Sequence, residues 1–104
     1  LIHEICVGEQ FEDITAPDFY ACMNLHPCQC VLKIKPREKI RVCYLISLMK
    51  EQLPEQDKDK WKEAILKHLD IDEDYYKSKY REPVSDLPSI PNQKFVKEMD
   101  GIFR

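Results

Sequence analysis

Four side chains suited to chemistry fall within nine residues: Cys22, His26, Cys28 and Cys30, in the run CMNLHPCQC. Thiolates and an imidazole ligate metals, form disulfides or exchange electrons. Structural zinc takes four such ligands in a tetrahedron, contributed as close pairs. In an extended segment Cys28 and Cys30 point the same way and can grip one ion, with Cys22 and His26 completing the set. His3 and Cys6 form a second pair at a usual spacing. The cluster contains no CxxC knuckle, and Pro27 limits how its loop wraps. Two other readings stand beside zinc. Disulfides Cys22–Cys28 or Cys6–Cys30 would staple the N-terminal arm. Alternatively, these are small buried hydrophobes, because free cysteine is among the most buried residue types. Cys43, inside an apolar stretch, belongs to that class. A catalytic thiol needs a base and an orienting partner. Spacing joins none of His3, His26 or His68 to a particular cysteine.

A second group of residues could bind charge. Lys33, Lys35, Arg37, Lys39 and Arg41 recur at every second position. They sit in a chain whose charge runs in blocks. Residues 1–32 carry five acids and no Lys or Arg, 33–50 six bases and one acid, and 51–74 nine acids and four lysines. Residues 75–104 carry six bases and four acids, and the net charge is −3. The basic block is thus a local positive patch on an acidic chain. It suits a phosphate backbone or an acidic partner, and equally a solvated rim paired with the chain's own acidic blocks.

With 104 residues and 43% hydrophobic content, the chain fits one domain with one core. Only two glycines argue against a turn-rich barrel or sandwich. No apolar run approaches the roughly 20 residues that cross a bilayer, so no membrane association is expected. Five cysteines, an odd number, and the lack of a glycosylation sequon or signal-peptide pattern lean toward a reduced, intracellular setting. No phosphate loop, nucleophile elbow or HExxH is present, so an enzyme is the class with least support.

The elements that must position these residues read as an α+β domain, mostly helical, with three to four helices and a small N-terminal β element. Residues 1–36 form a Cys-rich arm with short strands, one in the loosely alternating start and one in CVLKIK. Residues 37–82 form the helical core. REKIRVCYLISLMKEQL is apolar around most of a helix and should be the central one. DKDKWKEAILKHL places Trp61, Ile65, Leu66 and Leu69 on one stripe. Asp72 caps a helix over 73–82. Three prolines make 83–92 an irregular strap with Val84, Leu87 and Ile90 over the core. Residues 93–104 form a C-terminal helix, with Gly101 as a C-cap, whose apolar face docks on its own core, on a partner or on a second copy.

The run AILKHLDIDEDYYKSKYR resembles a DNA-binding helix-turn-helix, with its turn at 70–72 and its second helix at 73–82. On that reading Lys77, Ser78, Lys79 and Arg81 face DNA. The turn is Asp-Ile-Asp without the usual glycine, and Asp70, Asp72, Glu73 and Asp74 crowd the end that would approach phosphates. The same aspartates copy the first ligand positions of a calcium loop, but Tyr75 and Arg81 stand where that loop needs glycine and glutamate. The sequence therefore points to a small non-enzymatic regulatory or protein-interaction module. A helix-turn-helix DNA binder and a zinc-stabilised interaction domain are the alternatives.

Overall fold

The computed structural model describes residues 2–25, 31–85 and 88–103. Among them the chain is 66% helical, with six helices and no β-strand. The expected α+β class is therefore corrected to all-α. The helices are α1 Ile2–Cys6, α2 Ala16–Met23, α3 Lys39–Lys50, α4 Glu55–His68, α5 Glu73–Lys79 and α6 Ile90–Phe103.

The N-terminal correction has a local cause. Ile2, Ile5 and Cys6 are spaced at i, i+3 and i+4, which aligns them on one face of a helical turn. Gly8 then adopts φ +90°, a conformation costly for any side chain with a Cβ. That turn lets the Cys6 carbonyl accept from the N–H groups of Glu9, Gln10 and Phe11 at 3.1, 2.8 and 3.1 Å. The expected strand in CVLKIK is reduced to an isolated antiparallel pairing of Phe11 with Ile34. Pro36 cannot donate to a ladder, and among the described residues only 10–12 pair with the segment.

α2 starts as its sequence dictates. Thr15 Oγ1 accepts from the Asp18 N–H at 3.3 Å, and Pro17 lies in the first turn, where its missing N–H costs nothing. The helix buries Phe19, Cys22 and Met23. α3 is the central helix, as its apolar circumference requires: five consecutive residues, Val42 to Ile46, are buried, and α4, α5 and α6 all lie against it. α4 follows Pro54, with Glu55 and Asp57 in its first turn and Lys67 and His68 in its last. Both ends complement the helix dipole. It buries Ile65 and Leu66, and its Trp61 Nε1–H donates to the Met23 carbonyl at 2.8 Å.

α5 ends at Lys79, three residues short of the expected 82, and a single 3₁₀ turn at Glu82–Val84 follows. Of the strap's expected apolar side chains, the two described ones do not lie on the core. Val84 is 49% and Ile90 80% exposed, Pro83 is buried instead, and Leu87 lies outside the described residues. α6 begins three residues earlier than expected. Ser89 Oγ accepts from the Asn92 N–H at 3.3 Å, a capping bond that starts the helix within the proline-rich segment. Gly101 lies inside α6 and is no cap. Phe95 and Met99 bury into the chain's own core, and Val96, Ile102 and Phe103 pack against it.

Candidate interaction groove

Cys22 belongs to the core, 2% exposed beside Phe19 and Met23. His26, Cys28 and Cys30, and with them the proposed disulfide partners, lie outside the described residues. Among the described residues no three His, Cys, Asp or Glu side chains are grouped to hold a metal, and Cys6 and Cys43 are free thiols. Burial, with the Glu98 carboxylate nearby, pushes the Cys6 thiol up to about 12. Burial raises Cys43 to about 11 against the opposing charge of Lys39. Thiols held neutral in this way are poor nucleophiles and poor ligands. His3 is also occupied: its Nε2 hydrogen-bonds the Ile14 carbonyl at 2.7 Å, and its ring meets Phe19 edge-on. The pair His3 and Cys6 therefore serves packing.

The basic block divides. Arg41 turns inward. It donates to both carboxylate oxygens of Glu38 at 2.7 and 2.6 Å, to Asn92 Oδ1 at 2.7 Å and to the Arg37 carbonyl at 2.9 Å. Gln10 Nε2 adds a bond to Glu38 at 3.0 Å. Burial alone would raise the Glu38 carboxyl. Hydrogen bonds from Arg41 and Gln10, with the charges of Arg41 and Lys35, outweigh that effect and hold it below the usual value. Lys35 Nζ donates to the Gly8 carbonyl at 2.7 Å, and Lys39 sits 4.8 Å from the Tyr75 ring centroid. Lys33 and Arg37 are exposed. Arg37 holds φ +69°, in the turn closed by the Glu38 N–H donating to the Lys35 carbonyl at 3.1 Å, just before α3.

Arg37 also lines a groove of about 480 Å³. One wall is the extended chain from Val31 to Arg37, and the other is the end of α4, His68, Leu69 and Asp70. Lys33, Lys35, Arg37 and Lys39 line it against two carboxylates, Glu12 and Asp70. His68 Nε2 is buried there with no hydrogen-bond partner among the described residues. Sequence reading found the basic wall and missed the opposite one. Asp70 at φ +57° was the available signal, because Asp is among the few residues that tolerate the left-handed region where a helix must reverse.

The helix pair at 55–79 is fastened from within. Ile71 N–H donates to the Leu66 carbonyl at 2.9 Å, and Asp72 caps α5 through the Tyr75 N–H at 3.3 Å. Lys62, 8% exposed, pairs with Glu73 at 2.7 Å. That hydrogen bond holds the Glu73 carboxyl below its usual value. Leu66, Leu69, Ile71 and Tyr76 are buried, and Trp61 is half-buried. Lys77, Ser78 and Arg81 are exposed and Lys79 half-exposed on α5 and just beyond it. A second hollow, of about 450 Å³, shares Lys39 and Asp70 with the groove. It is lined by Glu63, Asp70, Asp72 and Glu73 against Lys39 and Lys67.

No helix among the described residues is long and apolar enough to cross a membrane. No family model, no curated protein and no solved structure matches the chain.

Proposed function

We propose that this domain is a non-enzymatic protein-interaction module that receives an acidic segment of a partner in the groove between residues 31–37 and His68–Asp70. One observation carries this reading: four cations of the basic block converge on one groove against two carboxylates. Two of the four, Lys35 and Lys39, are steadied by the Gly8 carbonyl and the Tyr75 ring. Cations held in place lose less side-chain entropy when a carboxylate arrives. Nucleic acid is less well supported. Beside the groove, and sharing Lys39 and Asp70 with it, lies the hollow that also holds Glu63, Asp72 and Glu73. Carboxylates there repel a phosphate backbone.

The test is fluorescence anisotropy with two labelled probes, an acidic peptide and a random duplex DNA, at low salt. The expected result is peptide binding that weakens about tenfold or more in Lys33→Glu/Arg37→Glu. Both side chains are exposed, so the variant should keep its fold. Tighter binding to the duplex than to the peptide, lost on neutralising Lys77 and Arg81, would replace this reading with the DNA-binding one.

A further inference from the structure

A cavity of about 560 Å³, larger than either hollow above, is lined by the N-terminal turn, the start of α3 and α6. It shares no lining residue with the basic groove. The α6 side is a stripe from Ile90 through Lys94 and Phe95 to Glu98, at i, i+4, i+5 and i+8 on one helical face. α1 and the turn after it add Glu4, Ile5, Val7 and Glu9. The more buried lining is apolar: Phe95 is 2% exposed, and Ile5 and Val7 are half-buried. Ile90, 80% exposed, lines it from the solvent side. Four carboxylates and two cations also line the cavity, an excess of two negative charges. Glu38 and Arg41 engage each other at 2.6 and 2.7 Å. That leaves Glu4, Glu9 and Glu98 against Lys94, with Glu4 and Glu9 exposed and Glu98 half-buried.

We propose that this cavity docks a basic segment of a protein partner. An arginine or lysine of that segment lays its aliphatic stem along Ile5, Val7 and Ile90 and its charged head among Glu4, Glu9 and Glu98. The inference goes beyond the groove reading and does not depend on it. Long cationic side chains suit such a lining, because their stems cover apolar surface while the heads stay at the polar rim. Charge selects the occupant. An acidic segment is repelled, and a purely apolar one would take water from the carboxylates and give nothing back. A second copy of this chain is a poorer occupant than a basic partner, since each copy carries a net charge of −3. The domain then holds two recognition surfaces of opposite sign.

The probe is a labelled peptide of arginine and leucine, measured by anisotropy against the full chain at low salt. It should bind, and Glu4→Lys/Glu98→Lys should weaken it about tenfold or more. Asp57→Lys/Asp74→Lys makes the same charge change at two exposed positions outside the cavity. That variant should stay within about threefold of the parent. Ile90→Ser, which leaves every charge in place, should weaken binding about threefold through the lost apolar contact. Unchanged Trp61 fluorescence certifies the fold of each variant. No binding of the peptide overturns the proposal, as do equal losses in the two charge variants. A molecular size that grows with protein concentration, and stops growing in Lys33→Glu/Arg37→Glu, would give the cavity to a second copy and overturn the basic partner.

Discussion

Arg41 and Asn92 stand 51 residues apart and share a 2.7 Å hydrogen bond between Nη1 and Oδ1. That bond ties the start of α3 to the start of α6. The same guanidinium grips Glu38, which holds Gln10 in turn. One arginine thus joins the N-terminal turn, the end of the basic block and the C-terminal helix.

Removing that guanidinium leaves Glu38 and Asn92 without their main donor in a largely desolvated site. Arg41→Met should destabilise the fold by about 2–4 kcal/mol, since breaking such a pair strands its partner. Asn92→Ala should cost less, about 1–2 kcal/mol, because Arg41 keeps Glu38. Urea denaturation followed by Trp61 fluorescence measures both, and equal losses would mean that Asn92 carries more than its one bond.

The Glu38 carboxyl lies below its usual value of 4.5 in the folded chain. The unfolded chain therefore takes up the proton first as pH falls. Stability from this group is present above about 4.5 and is lost as pH drops toward the folded value. Glu38→Gln should lower stability at pH 7 and flatten the acid limb of the stability curve relative to the parent. Parallel curves for the two proteins would show that the acid loss arises elsewhere, Glu73 being the next carboxyl held low.

Trp61 spans α4 and α2 through its bond to the Met23 carbonyl at 2.8 Å. Trp61→Phe keeps an aromatic ring and deletes the donor. The cost should be about 1–3 kcal/mol from the lost bond and part of the buried area. With tryptophan fluorescence gone, circular dichroism in urea gives the value.

Cys6 and Cys43 titrate at about 12 and 11 against an ordinary 9.0. Only the thiolate reacts with iodoacetamide. The rise at Cys43 leaves roughly a hundredfold less thiolate at pH 8 than in a free thiol. Both cysteines should stay unlabelled in the folded protein and react at once in denaturant, as peptide mass analysis would show. Fast labelling of either in the native state would mean that its helix opens readily.

By itself the sequence determined most helices, because the signals are local. Apolar spacing marked α3 and α4, Asp72 announced α5, and the prolines bounded their neighbours. The charge blocks were equally plain. Tertiary structure decided what depended on partners distant in sequence. The spacings at Ile2, Ile5 and Val7 suit a strand or a turn of helix, and packing of α1 on α2 settled the helix. CVLKIK reads as a strand, yet a strand needs a neighbour long enough to pair with, and residues 10–12 supply only one pairing. The basic block looked like a single surface. Folding sent Arg41 inward to Glu38 and Asn92 and left Lys33 and Arg37 in solvent, because a buried carboxylate needs a charged donor within bonding distance. The groove itself was out of reach of any linear reading. Its second wall, His68 to Asp70, arrives from the end of α4, and only the packing of α4 against α3 brings it opposite Lys33.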